Sequence, residues 1–265
     1  MKFVIDHDLH IHSFLSACSK DPEQTTELIL QYAKERSLKT ICLTDHFWDN
    51  AVAGASEWYA PQDFQHLAEA KPLPRVDGIR FLFGCETELN KDLVLGLSPD
   101  KYDLFDFIII PTTHLHFPGF TLSEAEGLVV PSRAAAWVKR LDAVLNMELP
   151  FHKVGIGHLT CTHLAPTRQD RLAVINALPG PELMRLFTKA AALGVGIEIN
   201  GSDMKFQEGE EDAVLRIYKI AKQCGCKFYL GSDAHRHWNF DGMHQVFEQV
   251  IDRLGLTEDD KFVLK

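Results

Sequence analysis

A chain of 265 residues, 46% hydrophobic and 24% charged, can bury one substantial core, in one large α/β domain or in two small ones. Its formal net charge of −10 supplies no basic field, which argues against a long nucleic-acid duplex held through its phosphates but allows a small anionic substrate met by local cations. Scattered cysteines, an N-terminus that turns polar after five residues and the lack of any apolar run of about 20 residues predict reduced thiols, no membrane span and a cytoplasmic location.

In chain order, "FVIDHDLHIH" (3–12) predicts a first strand and 22–37 a helix. A second strand is predicted at "TICLTDH" (40–46), followed by an irregular stretch, 47–79, that reads as a long loop with a short helix. Strands follow at "RFLFGCETE" (80–88) and "FDFIIIPTTH" (105–114), then a helix over 131–147 and a strand at "KVGIGH" (153–158). A helix over 181–194, a strand at "VGIEIN" (195–200), a helix over 211–224 and a strand at "KFYLGSDAH" (227–235) complete the series. Nearly all-apolar strands separated by helices imply a parallel sheet covered on its outer face, and their regular spacing favours closure into a single (βα) barrel.

Each predicted strand ends in side chains that bind metals or hydrogen-bond ligands. They are His10 and His12, Asp45 and His46, Glu86 and Glu88, His114, His158, Glu198 and Asn200, Asp233 and His235. A lone histidine at a strand end is most often a hydrogen-bonded half-buried residue, but a barrel gathers all these ends on one face, where such folds place their active sites. Imidazoles and carboxylates together suit zinc, iron or manganese, and a carboxylate such as Glu86 can bridge two ions. So many ligands exceed the needs of one ion, which implies two or three. Ions about 4 Å apart clamp a phosphoryl group and supply hydroxide from bound water at neutral pH.

The ordered motifs "DLHIHS", "LTDH", "GCETE", "TTHLH", "GIGH", "IEIN" and "GSDAH" resemble those of the PHP (polymerase and histidinol phosphatase) superfamily along nearly the whole chain. The resemblance implies one domain, 1–265, folded as a distorted (βα)7 barrel with two or three divalent ions (Zn, Fe or Mn) at the C-terminal ends of the strands. It implies one ion on His10, His12, Glu86 and Asp233, with Glu86 bridging to a second on His114 and His158. A third would use His46, His235 and the residue six positions after His12. Many members carry histidine there and this chain has Cys18, which reads as a thiolate ligand, a packed small residue or a reactive thiol. Asp45, Glu198 and Asn200 are expected to support the ligands from behind, with Glu88, His116 and His163 either at the rim or behind the ligands. Arg168 in the "APTRQDR" loop, Arg236 and His237 are the candidates for holding the substrate phosphate, or else belong to solvated loops.

The function expected from the resemblance is a metal-dependent phosphatase that uses a metal-activated hydroxide on a small phosphomonoester, with histidinol phosphate as one candidate. Against that substrate, the chain reads "TDH" and "GIGHLTC", where "TEH" and a different continuation after the fifth strand are expected. The alternatives are a phosphodiesterase or exonuclease acting on short oligonucleotides or nucleotide bisphosphates, and a non-catalytic metal-stabilised binding protein. An amidohydrolase-type barrel shares the HxH opening but calls for a lysine that "PTTHLHF" does not offer.

Overall fold

The computed structural model describes all residues except Glu124, Ala125, Gly127, Leu128, Glu208 and Lys265. The first predicted strand is β1 (His7–Ile11). The second divides into β2 (Thr40–Leu43) and β3 (His46–Phe47), and the third into β4 (Arg80–Phe83) and β5 (Cys85–Thr87). The remaining strands are β6 (Ile108–Pro111), β7 (Val154–Gly157), β8 (Gly196–Asn200) and β9 (Lys227–Gly231).

All strand pairings are parallel, in two sheets ordered β1-β2-β4 and β3-β5-β6-β7-β8-β9. Because β2 runs into β3 and β4 into β5, the two sheets are halves of one ring. The ring closes where the Asp233 N–H donates to His10 O at 2.8 Å and the His12 N–H donates to Ala234 O at 3.0 Å. The fold is thus a distorted barrel with its strands in chain order. The breaks at Thr44–Asp45 and at Gly84 are the distortion, and they let consecutive segments of one run pair in different sheets.

Alternation along the strands separates two apolar layers. Leu9, Cys42, Leu82, Phe107, Ile109 and Tyr229, from five strands, pack together with Phe262 inside the ring. Their neighbours Ile108, Ile110, Phe228 and Leu230 belong to the larger core beneath the helices. The pairing of β1 with β2 shifts register between Asp8 and Ile11, the stretch that carries His10. Such irregularities re-aim side chains next to functional sites.

The predicted helices appear as α1 (Thr26–Glu35), the short α2 (Phe64–Leu67) in the long loop, α3 (Val130–Leu145), α5 (Gly180–Leu193) and α6 (Glu211–Gln223). α1 starts at Thr26 rather than at Pro22 because Thr25 caps it, its side chain accepting from the Leu28 N–H. Two helices are additional: α4 (Arg168–Ala177) and α7 (Met243–Leu254). α4 begins inside the segment read as a loop, and its buried face is small, with Arg171, Val174 and Ile175. α7 has a plain apolar stripe, Met243, Phe247, Val250, Ile251 and Leu254. Among the described residues no helix is long and apolar enough to cross a membrane.

One charged residue fastens this scaffold. Arg140, on the buried face of α3, is 2% exposed. Its Nε donates to Thr112 O at 3.0 Å, one terminal nitrogen to Thr121 O at 3.0 Å, and the other to Leu89 O at 3.1 Å and Glu88 Oε1 at 2.7 Å. The guanidinium therefore ties the helix to the segments that follow β5 and β6. Replacing Arg140 with leucine would remove the cation paired with Glu88 and the donor to these carbonyls, and should cost about 3–5 kcal/mol of unfolding free energy by urea titration.

Candidate metal centre

Glu86 lies at the centre of the bowl formed by the strand ends. It is fully buried, and neither carboxylate oxygen accepts a hydrogen bond of good geometry. Four imidazoles surround it: His46 Nδ1 at 3.0 Å, His12 Nε2 at 3.3 Å, and His10 Nε2 and His158 Nε2 at 3.5 Å. Asp233 stands opposite, with Oδ1 at 3.4 Å from His12 Nε2 and Oδ2 at 3.6 Å from His158 Nε2. A buried carboxylate stripped of hydrogen-bond donors costs several kcal/mol unless a cation compensates it. The donor set therefore fits divalent ions.

The structure brings all nine metal-ligand candidates together. His10, His12 and Glu86 form one group, and His12, Cys18, His46 and His235 another, each with its ligand atoms within 4.8 Å of one another. His114 and His158 form a third with Cys161, a residue the sequence reading leaves unassigned. Cys161 Sγ, however, donates to Thr113 O at 3.3 Å, and burial pushes its thiol up to about 12.

Most of these rings are held from behind by a hydrogen bond at Nδ1, which turns Nε2 towards the centre. Glu198 accepts from His10 at 2.5 Å and Glu88 accepts from His114 at 3.0 Å. The other Glu198 oxygen accepts the His158 N–H at 2.9 Å, so one carboxylate joins the ends of β1 and β7. His12 donates to Ser16 Oγ at 2.9 Å, which in turn donates to Asp45 at 2.7 Å. Asp45 also accepts from the Ser13 N–H and hydroxyl, and so curls the segment after β1 back until Cys18 stands beside His46. The His235 ring donates to Asp233 O at 2.9 Å.

Backbone details serve the same end. A Cβ at Gly231 would collide with Glu198 Oε1 and lie 2.5 Å from His10 Cβ, so the glycine of "GSDAH" leaves the space that the Glu198 carboxylate fills. His158 and Asp233 have φ of 55° and 56°, a left-handed conformation uncommon outside glycine, though aspartate and histidine adopt it more readily than most, and concentrated at functional sites.

Charge is strongly coupled here. Burial opposes ionisation of Glu86, yet His46 and His10 hold its carboxyl well below the usual range. Asp233 is likewise held low against burial by His158, His235 and His10. Burial and His12 push His235 down to about 3, and burial with His163 pushes His116 to about 3. The Cys18 thiol is driven up by burial and by the charges of Glu86, Asp233 and Asp45.

A cavity of about 290 Å³ opens onto this cluster, lined by Cys18, His46, Glu86, His114, His158, Asp233 and His235 and, towards its mouth, by Trp58, Tyr59, His116, Phe117 and His163. The profile of the PHP domain family matches residues 8–254. The chain belongs to the PHP domain family. A probable phosphatase of Thermoanaerobacter sp. (strain X514) is 27% identical over 98% of this chain and 89% of its own. The histidinol phosphate phosphatase of Lactococcus lactis, solved with zinc, L-histidinol and phosphate, shares the fold at TM-score 0.59 and 19% identity, over 95% of this chain and 94% of its own. A structure from Listeria monocytogenes matches at TM-score 0.62 and 14% identity, over 91% and 99% of the two chains.

Within this PHP domain the three residues expected to hold the phosphate are placed away from the cavity lining. Arg168 opens α4 and is taken up by both carboxylate oxygens of Glu210, away from the cavity lining. Arg236 lies over the Trp238 ring at 5.4 Å, and His237 pairs with Asp21 at 2.8 Å; neither lines the cavity. Asn200 turns its Oδ1 to the N–H groups of Ser202 and Asp203, which shapes the segment bringing Asp203 to 3.7 Å from His158 Nδ1. Sequence reasoning missed Arg140 and the aromatic side of the mouth, Trp58, Tyr59 and Phe117. The first is betrayed by a charge three residues after Trp137 on the apolar stripe, the second by "EWYA" within a polar loop.

Glu198 offers a direct test. Glu198→Gln should weaken zinc affinity about 10- to 100-fold in chelator competition, since the amide supplies a poorer acceptor to His10 and His158.

Proposed function

We propose that this chain, 1–265 acting as a single PHP domain, is a metal-dependent phosphatase that hydrolyses a small phosphomonoester. The observation that carries the reading is the Glu86 carboxylate, buried without a hydrogen bond among four imidazoles at the floor of an accessible cavity. The phosphatase relative and the family membership support it.

The metal set proposed is His10, His12, Glu86 and Asp233 for one ion, Glu86, His114 and His158 for a second, and Cys18, His46 and His235 for a third. Zinc, iron and manganese all suit these donors. Ions bound there would neutralise charge on the phosphoryl oxygens and lower the pKa of attacking water. The protein's part is to present the ligands in fixed orientation, through Glu198, Glu88 and the Ser16–Asp45 pair, and to shape the space above them. No lysine or arginine is among the described residues lining the cavity, so the substrate's charge falls to the ligand cluster itself. The size of the cavity favours a monoester over a polynucleotide. Histidinol phosphate enters as a candidate through the likeness to the Lactococcus protein.

With manganese or zinc present, para-nitrophenyl phosphate should be turned over with kcat/KM at least about tenfold above that for bis-para-nitrophenyl phosphate. A preference for the diester would indicate the phosphodiesterase alternative. Inertness towards both, with metal bound, would indicate a binding protein.

Cys18 is separately testable by elemental analysis. Cys18→Ser should lose bound metal and Cys18→His should keep it; a serine variant with unchanged stoichiometry and affinity would remove Cys18 from the ligand set.

A further inference from the structure

The rings at the mouth of the cavity have no task in metal binding, yet they form a continuous wall. Trp58 meets His46 edge-on at 5.0 Å, and Phe117 lies 5.8 Å from Trp58 at an interplanar angle of 36°. His116 follows at 4.0 Å from Phe117, with His163 stacked on it at 3.9 Å and 26°. His163 then meets His114 edge-on at 6.0 Å. The arc thus begins at one candidate ligand and ends at another. Any group attached to a phosphate seated over the cluster must leave past it.

None of the four rings is fully buried: Trp58 and Phe117 are half-buried, and His116 and His163 exposed. Planar side chains with open faces attract other flat groups by offset stacking. The only carboxylates among the described lining residues are Glu86 and Asp233, both within the ligand cluster. An ammonium on the leaving group would find no counter-ion of its own there. At about 290 Å³ the cavity lies near the lower end of ligand sites, with room for a phosphate and one ring system.

We infer that the substrate is a phosphomonoester whose alcohol carries a flat, uncharged ring, seated against the arc formed by Trp58, Phe117, His116 and His163. This rests on the phosphatase reading and adds the class of leaving group. In the hydrolysis, the oxygen of water bonds to phosphorus, the bond from phosphorus to the alcohol oxygen breaks, and the released alkoxide takes a proton to leave as the alcohol.

The test compares kcat/KM for benzyl phosphate, butyl phosphate and L-histidinol phosphate on the manganese-loaded protein. Benzyl phosphate should exceed each of the others by about tenfold, the worth of one well-stacked ring. Trp58→Leu and Phe117→Leu, each checked for unchanged manganese content, should bring the benzyl-to-butyl ratio towards one through KM. Should either variant fail to fold, inhibition of the wild-type protein by benzylphosphonate and butylphosphonate reads the same preference, again expected about tenfold apart. Equal values for benzyl and butyl phosphates, a higher value for histidinol phosphate, or a ratio that survives both substitutions would overturn the inference and leave the phosphatase reading standing. Hydrolysis of none of the three would overturn both.

Discussion

The structure turns on a carboxylate placed where no carboxylate is comfortable. Glu86 is buried without a hydrogen-bond donor, and its negative charge is balanced only by imidazoles converging from the ends of β1, β3 and β7. A protein interior tolerates this arrangement when it holds cations, because several carboxylates and imidazoles can then share positive charge that none could stabilise alone. The register irregularity between Asp8 and Ile11, the left-handed backbone at His158 and Asp233, and the split of two strand runs all lie where donor atoms converge on this point.

Around that centre lies a shell of neutral and charged hydrogen-bond acceptors. Glu198 links His10 to the backbone of His158, Glu88 links His114 to Arg140, and Asp45 gathers Ser13 and Ser16 so that the segment carrying Cys18 returns to the site. These connections make the centre and the scaffold interdependent. Arg140 belongs to the core of the fold by position and to the metal centre by effect, since the carboxylate it holds orients a candidate ligand.

The cavity divides chemically into two regions. Its floor is a dense set of titratable groups, and its mouth is a wall of rings with little charge. Such a division suits a substrate with one strongly anionic end and one weakly polar end. Ions held by the floor would put positive charge where the lining itself offers neither lysine nor arginine among its described residues.

The strands, their order and the polar residue at the end of each were legible in the sequence, because alternation of apolar side chains and a ligand at every strand end are local patterns. Neither α4 nor α7 was expected: α7 carries a plain apolar stripe from Met243 to Leu254 that went unread, whereas few residues of α4 face the core. Tertiary structure alone decided which charged side chains serve the site. Arg168 and Arg236 have the right chemistry in the right part of the chain, but Glu210 and Trp238 occupy them. Trp58, the adjacent pair His116 and Phe117, and His163 come from three loops and meet only when the barrel closes, so their contacts are not written in any local spacing. The sequence by itself determined the ligand types and their barrel, through residue chemistry and periodicity. Orientation, pairing and the shape of the cavity depend on contacts between residues distant in the chain, and those exist only in the folded protein.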